Sequence, residues 1–168
     1  EYICYIDQLK WEMDKEQLTF GNNDPLSKSR SEFISINNDQ DSLSFYAKSA
    51  DYSLRDFVIN ASGVDSIIVA DAIIYPDSGK ITVERNAKVK TLNNSRILLD
   101  SIVRYHVFNN SSIDILGKNS YEASGNYIYK DALDNEQPIY FSDIMVNKDT
   151  ISVAKGNVMQ EKKFKIGS

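Results

Sequence analysis

Apolar residues in this chain alternate with polar ones. Leu43 and Phe45, Ile81 and Val83, Ile113 and Ile115, and Ile151 and Val153 are each separated by one polar residue. A helix needs apolar positions three and four apart, and no window of a dozen residues supplies them. Period two is the signature of a half-buried strand. Ten tyrosines share these segments with Ile, Val and Thr, which suits a pleated surface packed on one side. Turn-forming residues break the runs at Pro76–Gly79, Leu92–Ser95, Asn109–Ser112, Asp131–Asn135 and Asn147–Thr150. In Pro-Asp-Ser-Gly, proline presets φ and glycine supplies a left-handed residue, so a hairpin is expected from about Ile67 to Val89. One stretch has a helical competitor: residues 9 to 18 read as a hairpin, or as a short helix of Leu, Lys, Glu, Met and Gln.

The 168 residues suit one domain whose core covers about 70% of the unfolded surface, so no staple is required. Nineteen basic against 24 acidic residues give a net charge of −5, which argues against nucleic acid and against an anionic membrane surface. A single cysteine, Cys4, excludes a disulfide framework and a multi-thiolate metal site. A single histidine, His106, excludes every two-histidine metal site. No run approaches the 18 or so apolar residues of a membrane span. Glu1 already opens a strand-like run, so the natural start is expected upstream.

Stacking the alternating segments reveals a loose internal repeat. Its copies run Ala47–Tyr52 with Phe57–Ile59 and Gly63; Ala70–Tyr75 with Ile81–Val83; Asp100–Tyr105 with Ile113–Gly117; Ser124–Tyr129 with Ile139–Phe141; and Ser142–Val146 with Ile151–Gly156. Such units bury their apolar faces against their neighbours and tolerate loops of uneven length. The expected organisation is one all-β module over residues 1–160: a first hairpin at 1–20, a polar loop at 21–32 and hairpin repeats at 33–158. A polar tail, 159–168, follows.

The stretch ADAIIYPDSGKITVERNAKV, followed by ILLDSIVRYHVFNNSSIDILGKNSYEASGNYIYKD, resembles the OstA-type hairpin repeat of periplasmic lipopolysaccharide-transport proteins. In that repeat a small or acidic residue opens a strand, an aromatic closes it, and an Ile-x-Val return strand follows a turn. The same wording resembles segments of very long envelope proteins of Gram-negative bacteria. The resemblance covers roughly residues 33 to 158 and implies an extracytoplasmic β-jelly-roll or an elongated sandwich of stacked hairpins. Lys88, Lys90, Arg85 and Arg104 depart from the consistently apolar lining that a lipid-conducting jelly roll needs.

Chemistry-bearing residues each have a plain structural reading beside the functional one. His106 lacks the nucleophile context of a hydrolase and reads as an ordinary strand residue. Cys4 alternates with Tyr2 and Ile6 and reads as a small buried hydrophobe. Asp71, Asp100 and Asp143 recur at similar repeat positions, either as a carboxylate row or as strand-entrance residues accepting backbone hydrogen bonds. The run Asn37–Asp41 has calcium-loop composition without the central Gly or terminal Glu, and reads as a hairpin turn. Tyr121, Tyr127, Tyr129 and Tyr140 cluster within twenty residues and are the candidate binding residues, as an aromatic strip for sugar rings or a protein partner. The overall expectation is a non-enzymatic structural or assembly module without cofactor or metal. It would contact other envelope proteins or neighbouring repeats of its parent chain; the alternative is a lipid- or glycan-binding jelly roll.

Overall fold

A computed structural model describes residues 1–22, 30–99, 106–131 and 134–156. Among them are fifteen strands and no α-helix. The first seven are β1 (Tyr2–Tyr5), β2 (Leu9–Glu12), β3 (Gln17–Gly21), β4 (Ser31–Ser35), β5 (Ser44–Ala47), β6 (Ser49–Ser53) and β7 (Val58–Ser62). Then come β8 (Ile67–Val69), β9 (Ala72–Tyr75), β10 (Lys80–Val83), β11 (Leu92–Leu99), β12 (His106–Gly117), β13 (Ser120–Lys130), β14 (Glu136–Val146) and β15 (Ser152–Gly156). They form three antiparallel sheets, ordered β1-β4-β5, β10-β7-β6-β3-β2 and β15-β14-β13-β12-β11-β9-β8.

Alternation sets which side chains enter the core. In β4, Ser31, Phe33 and Ser35 are buried, and Glu32 and Ile34 between them are not. Phe33 stacks on Phe45 with ring centroids 5.2 Å apart and meets Phe20 edge-on at 6.2 Å, joining the three-stranded sheet to the five-stranded one. The apolar cluster continues through Ile59, Ile81, Ile74, Ile97, Ile113 and Ile144, so one core runs through all three sheets.

The chain changes sheets at corners. Lys48 alone separates β5 from β6. Its N–H donates to the Ser62 carbonyl at 3.0 Å, and its own carbonyl accepts from Asn22 N–H at 3.2 Å. Gly21 and Gly63 flank it at φ +76° and +70°, and a Cβ on either would collide with Lys48, with its carbonyl oxygen or its side chain respectively.

Pro76–Gly79 forms a second corner, which corrects the expected hairpin. β9 lies between β8 and β11 in the seven-stranded sheet, and β10 pairs with β7 in the five-stranded one. The turn chemistry is as read, with Ser78 and Gly79 at φ 53° and 62° and Gly79 N–H on the Pro76 carbonyl at 3.2 Å. Ile74 is drawn between Ile67 and Ile97 and Ile81 beside Ala61, so packing sends the two strands apart.

Two further expected turns lie inside strands. Leu92–Ser95 and Asn109–Ser112 sit where the registers of β11 on β12 and β12 on β13 shift, with Asn94 and Asn110 at φ 52° and 49°. These asparagines occupy the left-handed region without reversing the chain, and the resulting bulges bend the strands. The seven-stranded sheet curls into a half-barrel.

Other segments follow the expected plan. β6 pairs with β7, β13 with β14 and β14 with β15 as hairpins. Residues 9–18 are the β2–β3 hairpin, not the helix. β1 does not join it; it pairs with β4. Of the polar stretch 21–32, Gly21 closes β3 and Ser31 and Glu32 open β4, and residues 23–29 lie outside the described residues. The third repeat's first strand, at 100–105, and the tail at 159–168 also lie outside them. Asn37–Asp41 is the turn joining paired strands β4 and β5; Asn37 Oδ1 caps Asp39 N–H at 3.1 Å, and buried Gln40 donates to the Ala87 carbonyl at 2.8 Å.

Candidate functional site

Side chains of β1 and of the five-stranded sheet line an open groove of about 490 Å³. That volume falls in the range of small-ligand sites, about 300–1,000 Å³. Its floor is Leu18 and Phe20 of β3, Tyr52 of β6, Ile59 of β7 and Val83 of β10; Tyr2 and Cys4 of β1 form a wall. Burial pushes the Tyr2 phenol and the Cys4 thiol above their ordinary values, so this wall is uncharged near neutral pH. Cys4 packs against the core from a half-buried position, in keeping with its reading as a small hydrophobe. Charge is confined to the rim, where Glu1, Glu84 and Arg85 stand. The Arg85 guanidinium lies 4.9 Å from the centroid of the Phe57 ring and donates from Nε to the Asp56 carbonyl at 3.3 Å.

The apolar floor continues past the groove to the end of the sheet. Leu9 pairs with Phe20 and Trp11 with Leu18, and directly opposed residues of an antiparallel pair share a face. Among the described residues β2 is the terminal strand, so these side chains have described neighbours on one side alone. Leu9, Trp11 and Met13 are 58%, 56% and 69% exposed. Lys10 and Glu12 alternate with them on the other face, Lys10 Nζ 3.3 Å from Glu12 Oε1 and Lys15 Nζ 2.9 Å from the same oxygen.

The four candidate tyrosines do not form one strip. Tyr121 is buried in the core, with its hydroxyl 2.6 Å from Ser152 Oγ. Tyr127 is half-buried in an aromatic cluster, its ring centroid 5.8 Å from His106, 5.4 Å from Phe108 and 6.2 Å from Phe141. Tyr129 is half-buried further along β13. Tyr140 is exposed and pairs with Asn126, so it stands on the face opposite Tyr127, whose partner is Ile139.

His106 opens β12, exposed, with Nδ1 3.3 Å from the Tyr127 hydroxyl. Asp71 accepts from Ser152 N–H and Oγ, which is the strand-entrance role. Asp143 lies in β14 opposite Lys155, and Asp100 is outside the described residues. Among the described residues no three His, Cys, Asp or Glu side chains group as metal ligands, and no helix is long and apolar enough to cross a membrane.

Sequence reasoning missed the groove, whose walls come from five strands of two sheets. The β2 edge carried a visible signal, three large apolar residues at period two that include the sole tryptophan. A scan against protein-family models and searches of curated proteins and of solved structures find no match to this chain.

Proposed function

We propose that this chain is a non-enzymatic structural or assembly module of a larger extracytoplasmic protein of the bacterial envelope, working through protein contacts. The observation that carries this reading is the edge of β2, where Leu9 and Trp11, with Met13 in the 3-10 turn that follows, each have more than half of their surface exposed. An apolar row flanked by unpaired backbone is a template for an added strand, and tryptophan is a frequent anchor of protein interfaces. The resemblance of residues 33–158 to OstA-type repeats supports the envelope location. The sheet crossings at Lys48 and Pro76–Gly79 support an elongated, jelly-roll-like stack. Cross-linking of native material tests the reading through Lys10 and Lys15, which border the edge. Cross-links from these lysines to other chains, or to other repeats of the parent chain, are expected. Cross-links confined to residues of this module would overturn it.

The groove favours a second reading, in which it holds a single acyl chain. An uncharged, mainly apolar floor with charged groups restricted to the rim is the arrangement such a ligand requires, at about 0.8 kcal/mol per buried methylene. Saturable fluorescence enhancement of cis-parinaric acid, lost in Leu18→Glu, is expected on this reading. An enhancement that rises without saturation would reject it. The dispersal of Tyr121 and Tyr140 to the core and the outer face withdraws support from a glycan-stacking strip.

A further inference from the structure

We infer that the β2 edge is self-complementary and that its partner is the β2 edge of a second copy of this chain, related by a two-fold axis through Trp11. The inference rests on the protein-contact reading above and names its partner. Its first ground is the direction of the backbone groups. Gly21 N–H donates to the Gln8 carbonyl at 3.0 Å, and antiparallel pairs alternate in hydrogen bonding. Gln8, Lys10 and Glu12 therefore direct their backbone groups at β3, and Leu9 and Trp11 direct theirs outward. Outward-pointing groups on Trp11 are what a strand paired to its own copy about that residue needs, each Trp11 N–H meeting the other's carbonyl.

The second ground is charge. With the axis through Trp11, Trp11 faces its copy and Lys10 faces Glu12 on the outer surface, twice over; Leu9 comes to the 3-10 turn that begins at Met13, whose carbonyl already accepts from Glu16 N–H at 3.3 Å. Every opposed pair within β2 is then apolar with apolar or positive with negative. Moving the axis to Lys10 sets lysine against lysine, and moving it to Glu12 sets glutamate against glutamate. An axis between residues opposes an apolar side chain to a polar one on the same face. This register alone sets Lys10 against Glu12 and Trp11 against itself, and it is isologous, the commonest symmetry of soluble oligomers. The other end of the five-stranded sheet offers no equivalent edge: Val83 of β10 is bridged to Val89, and Lys90 N–H already donates to the Thr82 carbonyl at 2.9 Å. Joined at β2, two five-stranded sheets continue as one, and the apolar floor of each groove runs into that of the other.

Sedimentation velocity of the full chain from about 1 µM to about 1 mM reads this directly, with circular dichroism confirming that each variant is folded. Wild type should show a concentration-dependent monomer–dimer equilibrium, and its only tryptophan should shift to the blue as the dimer fills. Lys10→Glu and Glu12→Lys should each weaken dimerisation by about tenfold or more, because each turns both unlike pairs into like pairs. The double variant, which exchanges the charges, should return to near wild type. A wild type that stays monomeric throughout would overturn the inference, as would a dimer indifferent to the single exchanges or not restored by the double. Monomeric behaviour together with cross-links from Lys10 and Lys15 to other chains would sink the self-pairing and leave the protein-contact reading standing. Loss of both would sink both.

Discussion

Asp71 and Ser152 join diagonally opposite corners of the seven-stranded sheet. Asp71 lies in the turn between β8 and β9, on one edge, at the end where Ala72 pairs with Leu99 and Leu99 with His106. Ser152 opens β15 on the other edge, at the end where Val146 closes β14 and Ser120 opens β13. Curling brings the corners together. The Asp71 carboxylate then accepts from Ser152 N–H at 3.0–3.1 Å and from Ser152 Oγ at 2.5 Å, and Ala70 N–H donates to the Lys118 carbonyl at 2.8 Å.

Removing the carboxylate opens that clasp. Asp71→Ala leaves a half-buried N–H and a hydroxyl without their acceptor, and hydrogen bonds to a charged group contribute about 1.5–3 kcal/mol. Urea unfolding should show a loss of about that size. Ser152→Ala should cost less, because its backbone N–H keeps the carboxylate.

Tyr121 makes the same corner sensitive to alkali. Burial pushes its phenol up to about 12, with the Ser152 hydrogen bond pulling it back and the Asp71 charge adding to the rise. In the unfolded chain it ionises near 10. Above that pH the unfolded chain releases a proton that the folded one retains, so stability is whole below about pH 10 and declines toward about pH 12. Tyr2, also raised by burial, adds a share of its own. Urea midpoints at about pH 8 and about pH 11 should differ less in Tyr121→Phe than in wild type.

The bulges that curl the sheet depend on asparagine tolerating a left-handed backbone. Asn110, at φ 49°, should accept glycine with little change in thermal stability. Asn110→Val should cost about 1–2 kcal/mol or more, since a β-branched residue is strained at positive φ.

Local chemistry made the strands legible, and tertiary packing decided how they were dealt among sheets. The alternation around Leu43, Ile81, Ile113 and Ile151 identified strands, and the strands before Asp131 and after Asn135, like those on either side of 147–150, do pair as neighbours. At Pro76–Gly79 and at Asn94 and Asn110 the same residue types serve a corner and two bulges. Glycine and asparagine supply a positive φ in all of these, and nothing local states whether the next strand returns. The tyrosines fail as a strip for a related reason. Tyr121, Tyr127 and Tyr129 share the inward parity of β13, and pairing with Asn126 turns Tyr140 to the other side. That follows from register, which composition does not carry. The groove was illegible because Leu18, Tyr52, Ile59 and Val83 meet only after the five-stranded sheet has formed.

Residue-resolved amide exchange by NMR at low and high protein concentration tests the proposed role of the β2 edge most directly. Lys10 and Glu12 amides, held by β3, should be protected throughout. The amides of Leu9 and Trp11 should exchange freely when dilute and gain protection as concentration rises. Leu9 and Trp11 amides that exchange equally fast at both concentrations would contradict it.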